Sequence, residues 1–96
     1  MKKAIFHGKV IAESSNTISL SGKTYFPHNS LKEQFFEESD SRSHNPQFGI
    51  ANYYHLHMDN YLKQNAAYYH PAPLPHSKFI QNYVAFNDND IEIKED

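Results

Sequence analysis

The chain has 96 residues, 39 % of them hydrophobic and 21 % charged, which leaves room for one domain and excludes a disordered composition. It contains no cysteine, so a disulfide framework, a thiolate zinc site and a cysteine nucleophile are excluded together. The net charge of −2 supplies no field that would steer nucleic acid to the surface.

The dominant hydrophobic period is two, with turn signals every eight to twelve residues, the pattern of an all-β sandwich or barrel. A first strand is predicted over Lys2–His7, closed by Gly8, and a second over Lys9–Glu13, closed by Ser14-Ser15-Asn16 as a hairpin loop. Thr17–Leu20, the Ser21-Gly22 turn and Lys23–Phe26 complete what reads as a four-stranded meander. Pro27 ends it, because proline has no backbone donor. One helical turn capped by Asn29 or Ser30 follows, then a strand over Lys32–Glu38. Residues 39–49 are rich in Ser, Asp, Asn, Pro and Gly and read as a long loop, the kind of segment that tends to carry function. Ile50–Met58 is the longest strand expected, turned by Asp59-Asn60, with a short strand over Asn65–His70 behind it. The Pro71–Pro75 segment is a polyproline-type connector. A short helix over His76–Asn82, a buried strand over Tyr83–Phe86, a turn at Asn87–Asp90 and an edge strand over Ile91–Ile93 close the domain, with 94–96 as a frayed tail.

A domain this small buries only about 60–65 % of its unfolded surface, so its core must be dense in large side chains. Seven Phe and seven Tyr answer that need. Three aromatic doublets, Phe35-Phe36, Tyr53-Tyr54 and Tyr68-Tyr69, place one ring on each face of a strand. Rings on the outward face would suit a ligand groove or a partner contact. Charge is uneven. Residues 1–34 carry five lysines against Glu13 and Glu33, a net +3, whereas residues 35–96 carry a net −5. No basic stripe interleaved with aromatics appears, so no nucleic-acid partner is expected. No apolar run approaches the ~20 residues a membrane helix needs, and Met1–Gly8 has no apolar segment behind its lysines. A cytoplasmic protein is the simplest expectation.

Seven histidines are the main compositional excess. His55-Leu56-His57 would place two imidazoles on one side of a strand roughly 6.5–7 Å apart, a spacing that one divalent metal can bridge. His44, His70 or Asp59 could supply a third ligand, and two solvent-facing histidines are the plain alternative. Asp88-Asn89-Asp90 opens like a calcium loop, but Ile93 sits where glycine is required. Ser41, Ser43 and His44 share the 39–49 segment without any nucleophile-elbow, phosphate-loop or dinucleotide fingerprint.

The order of motifs resembles a small bacterial family of unknown function that carries a nucleotidyltransferase-domain name. The resemblance covers about residues 3–93 and rests on several pieces. These are Ala4-Ile5 with Gly8, Ile11–Ser14, Gly22 with Tyr25-Phe26-Pro27, Ser39-Asp40, Asn45–Tyr54, Ala66–Tyr69 with Pro71 and Pro73, and Tyr83–Phe86. The family pattern usually reads Cys-Pro-Trp-Lys-Gly where this chain has Asn45-Pro46-Gln47-Phe48-Gly49, and often has Trp where this chain has Tyr68. The resemblance implies a compact, mainly antiparallel β domain. Its name implies nucleotidyl transfer, which needs paired carboxylates facing a phosphate site. The one D-x-D, at 88–90, lies on a C-terminal turn.

The expectation is therefore a mainly β fold: one compact antiparallel sheet or barrel-like domain of about eight short strands with one or two helical turns, spanning 1–96. The expected function is binding of a small molecule in a pocket beside the 39–49 loop. Arg42, Ser43 and Asn45 would make its polar contacts, and Tyr25, Tyr53 and Tyr69 its walls. Arg42 suits a carboxylate or phosphate. The alternatives are an enzyme, either a nucleotidyltransferase or a metal-assisted hydrolase using His55 and His57, and an interaction domain that pairs through its aromatic face, as in a homodimer. No cofactor is expected beyond that divalent metal.

Overall fold

Two tight turns start the chain off. His7-Gly8 and Ser21-Gly22 both carry positive φ at both central residues, 48° and 79° in the first and 53° and 78° in the second. That backbone matches the twist of antiparallel strands and makes two-residue hairpins. The computed structural model describes residues 1–96. Its strands are β1 (Lys2–Phe6), β2 (Lys9–Ser14), β3 (Ile18–Leu20), β4 (Lys23–Pro27), β5 (Phe36–Asn45), β6 (Gly49–Met58), β7 (Tyr61–Tyr69), β8 (Tyr83–Phe86) and β9 (Ile91–Glu95). Three 3₁₀ segments, at His28–Ser30, Glu33–Phe35 and Pro75–Ile80, supply the helical turns.

The strands form two antiparallel sheets, a small one in the order β2-β1-β9 and a large one in the order β3-β4-β8-β7-β6-β5. The mainly β expectation holds, with nine strands rather than eight and with two open sheets rather than a closed barrel. The first four strands are not one meander. β1 pairs with β2 and β3 with β4, but β2 and β3 belong to different sheets. Local turns could be read from the sequence; the partner of β4 is β8, some sixty residues away, and that pairing could not. The terminal residues are tied down rather than frayed: β9 runs to Glu95, and the Asp96 N–H donates to the Met1 carbonyl at 3.0 Å.

The expected 39–49 loop is mostly strand. β5 runs through Asn45, and only Pro46-Gln47-Phe48 turns the chain into β6. The Asn45 side-chain oxygen accepts the N–H groups of Gln47 at 2.7 Å and Phe48 at 3.0 Å, which builds that turn. Gly49 follows with φ of 96°, where a Cβ would stand 3.4 Å from the Ala72 carbonyl. The strand expected over Lys32–Glu38 starts only at Phe36, after the 3₁₀ turn over Glu33–Phe35.

The main core lies between the sheets. Ala4, Phe6, Ile11, Ala12 and Ile91 from the small sheet meet Phe26, Leu56, Met58, Ala67, Val84 and Phe86 from the large one. Segment 28–35 links the two. The Lys32 N–H donates to the Ile11 carbonyl at 2.8 Å, and Ala12 bridges Leu31. A second, smaller cluster of Tyr25, Phe48, Ile80 and Ala85 covers the opposite face of the large sheet, beneath the Pro75–Ile80 segment.

Register then sorts the aromatic doublets. Tyr68 faces Tyr53 and Ala85, while Tyr69 faces Asn52 and Val84. Val84 in turn opposes Phe26, a main-core residue. Residues directly opposite share a face, so Tyr69 lies on the inner face of the large sheet and Tyr68 on the outer. Alternation does the same to β6, with Tyr54 inner and Tyr53 outer.

Candidate functional site

On the outer face a cavity of about 120 Å³ is lined by residues from β4 to β7, with His70 and Asn87 closing it. Tyr25, Ser43, Asn45 and Tyr53, four of the six residues expected to bind, meet there together with Phe48, Ala51 and Tyr68. The Ser43 and Tyr53 hydroxyls are 2.8 Å apart. Tyr25 and Tyr68 meet edge to face at 6.3 Å, and burial holds the Tyr68 phenol well above its ordinary range. His70 is the unexpected member. The residue is 2 % exposed, with its ring between Phe48 and Tyr68. Nδ1 lies 3.2 Å from the Ile50 carbonyl, which can only accept, so Nδ1 carries the proton. Nε2 is then a bare acceptor, buried and without a partner in the protein. Burial also holds His70 below its usual titration range, so the ring is neutral near pH 7.

Arg42 and Tyr69 do not reach this cavity. Arg42 opposes Asn52, and Asn52 opposes Tyr69, so both project on the inner face. Reading 39–49 as a loop left the side-chain phase undefined; as a strand, adjacent Arg42 and Ser43 must point apart. The Arg42 guanidinium donates to the backbone carbonyls of Ser39 at 2.9 Å and Ser41 at 2.8 Å. Those bonds hold it along the bulge where the β5–β6 register slips, between Glu38 and Arg42. Ser39, 3 % exposed, pins the same bulge: its hydroxyl donates to Asn65 Oδ1 at 2.6 Å and accepts the Ser41 N–H at 3.0 Å. Asn45 lines the outer cavity, but its oxygen is committed to the turn.

The inner face carries a second polar cluster, in a cleft of about 260 Å³ lined by His28, Leu31, Glu33, Phe36, Glu38 and Tyr54. Tyr54 and Tyr69 stack with centroids 5.0 Å apart, and His28 meets Tyr69 edge to face at 5.0 Å. His28 Nε2 lies 2.9 Å from the Tyr54 hydroxyl, and the Tyr69 hydroxyl donates to Glu38 Oε1 at 2.8 Å. Burial lowers His28 and raises Tyr54 and Tyr69, with Tyr69 and Glu38 adding to the shift at Tyr54. All three are therefore neutral at pH 7, beside two carboxylates. Ala67, opposite Tyr54 on β7, leaves room for the stacked rings.

His55 and His57 both lie on β6, and no third candidate ligand is grouped with them. His55 Nδ1 accepts the Asn65 N–H at 3.0 Å, which occupies one of its ligand positions. His57 is exposed, and the β6–β7 register slips between Tyr54 and Leu56. No group of three His, Cys, Asp or Glu residues stands where it could hold a metal ion. Asp88 Oδ1 accepts the Asp90 N–H at 2.9 Å in an ordinary surface turn. Tyr54 and Tyr68 are partly buried, packed against the main and the smaller core cluster respectively.

Sequence reasoning placed none of His28, Glu38, Tyr54 and Tyr68 in a binding site, and named His70 only as a possible third metal ligand. The doublets were the available signal, since each promised a ring on either face. Which half of a doublet joins which cluster depends on register, and register is not local.

A model for a family described as a domain of unknown function, DUF427, and named NTP_transf_9 matches residues 2–96. The chain belongs to the DUF427 family. No curated protein matches it. The DUF427 match spans both sheets and so includes both clusters. No helix of the chain is long and apolar enough to cross a membrane.

Proposed function

We propose that this DUF427 chain is a small-ligand-binding module, with its ligand in the outer-face cavity beside the β5–β6 turn. The observation that carries the reading is His70 Nε2, an acceptor without a protein partner on a ring that lines the cavity. An unpaired buried polar group costs about 1–3 kcal/mol, so a fold keeps one where something else pairs with it. The paired Ser43 and Tyr53 hydroxyls at the rim and the Tyr25 and Tyr68 rings are suited to a flat or compact group. No lysine, arginine or carboxylate lines the cavity. The matching ligand is a small neutral group that donates one hydrogen bond to Nε2, such as a primary amide or an alcohol. Three of the four places where the chain departs from the resembled pattern, Asn45, Phe48 and Tyr68, line this cavity, and Gln47 does not.

The family's name suggests nucleotidyl transfer, which needs carboxylates converging on a metal. The donors present do not form such a set.

The test is a titration with acetamide, urea and ethanol, followed by the side-chain nitrogen shifts of His70. Binding should move Nε2 and the Tyr68 ring and should be abolished by His70→Phe, which keeps the ring shape and removes the acceptor. A His70 signal that none of the three compounds moves, or binding that survives His70→Phe, would refute the reading.

A further inference from the structure

The inner-face cleft takes no part in that function, and its chemistry differs. Phe36 and Tyr54 meet with centroids 5.7 Å apart and planes 73° apart, so their rings form two walls of a corner. Glu33 and Glu38 line the same cleft, and no lysine or arginine does. The nearest cationic side chain on β5, Arg42, is tethered to the carbonyls of Ser39 and Ser41. Both tyrosine hydroxyls are already engaged, Tyr54 with His28 and Tyr69 with Glu38 Oε1. The open capacity of the cleft is thus aromatic surface, the Leu31 side chain and carboxylate oxygen. Its lining offers no lysine or arginine to pair with an anion.

Aromatic surface beside carboxylates is the environment that attracts an alkylated cation: ring quadrupoles and negative charge act together, and no N–H donor is required of the ligand. We propose that this cleft is a second binding site, for an organic ammonium head group. At about 260 Å³ the cleft falls just short of the ~300–1,000 Å³ of sites that swallow a drug-sized molecule, so it is sized for a head group whose remainder stays in solvent. Segment 28–35 supplies one wall and also ties the two sheets together through Lys32 and Ile11. The site is therefore built by the main fold and not by a loose loop.

Choline is the probe, and its neutral isostere 3,3-dimethyl-1-butanol is the control, with ring-proton shifts of Phe36, Tyr54 and His28 as the readout. Choline should shift those three residues and leave Tyr25, Tyr68 and His70 unmoved. The neutral isostere should bind at least ~10-fold more weakly, the factor that separates a desolvated cation–ring contact from apolar contact alone. Glu38→Gln keeps an acceptor for the Tyr69 hydroxyl at an exposed position, so it should leave the fold intact and weaken choline several-fold. Glu33→Gln, where no bond within the fold is at stake, is the second variant and should act in the same direction. Equal binding of the isostere, indifference of choline to both glutamine variants, or choline shifts centred on Tyr25 and Tyr68 would each overturn the proposal. A failure here leaves the outer-face reading standing, because that site is read through His70 with uncharged probes.

Discussion

The two faces of the large sheet use the same residue types to opposite effect. On the outer face Tyr53 and Tyr68 join Tyr25, Ser43 and His70 around a cavity with no charged group in its lining. On the inner face their immediate neighbours, Tyr54 and Tyr69, join His28, Glu38 and Phe36 around a cleft that holds two carboxylates. One residue of register separates the two environments. A pair of adjacent tyrosines is therefore not a single feature of the surface but one contribution to each side of a strand.

The largest effect that would break this comparison lies in the core both faces share. Phe26 is fully buried and meets Phe86 at 5.8 Å, and Phe26→Ala should cost about 3–5 kcal/mol in urea unfolding. Both sites should weaken together, since the sheet that carries them loosens; loss of one alone would mean that the sites do not depend on a common sheet. Next comes Ser39→Ala, which strips the bulge of its central bond and leaves the Ser41 N–H and Asn65 Oδ1 each without the partner it has now. About 1–3 kcal/mol should be lost by thermal or urea unfolding, well above the change expected for an exposed serine such as Ser15.

The pH response separates the faces more finely. Burial holds both His28 and His70 below their ordinary value of 6.5, so the unfolded chain takes up their protons more readily than the folded one. The stability tied to them is complete above pH 6.5 and is lost as pH falls through the range beneath it. Melting temperatures measured from pH 7.5 to 5 should fall on the acid side, and His70→Phe should flatten part of that fall while His28 retains the rest. An unchanged slope in the variant would show that the His70 ring is not held neutral. The smallest effect belongs to Ser43→Ala, an exposed position whose loss should alter stability by no more than about 0.5 kcal/mol. Binding of acetamide at the outer cavity should nonetheless weaken, which distinguishes a contact with ligand from a contact within the fold.

Much of the fold could be read from alternation and turns. Gly8, the Ser21-Gly22 pair and Asp59 end strands where expected, and Tyr83–Phe86 is the buried strand its composition suggested. β5 was missed for a physical reason. It is an edge strand, polar at every position but Phe36, so no apolar repeat marks it and its serines and acids imitate a loop. That error carried directly into the site, because a loop assigns no side to Arg42 and a strand does. The division into two sheets was equally hidden, since it rests on β4 finding β8 and β1 finding β9 across most of the chain. Tyr25, Ser43, Asn45 and Tyr53 converged as expected, whereas His70 gave no sign of its burial, lying just beyond β7 next to a proline segment.

The most direct measurement is a through-space proton spectrum of the aromatic rings, with tyrosine and histidine assigned. Contacts linking Tyr54, Tyr69 and His28 in one set, and Tyr25, Tyr53 and Tyr68 in another, with no cross-peak between the sets, are the predicted result. A pattern that joins Tyr53 to Tyr69 or Tyr54 to Tyr68 would mean the strands pair one residue out of step, and the two sites described above would not exist.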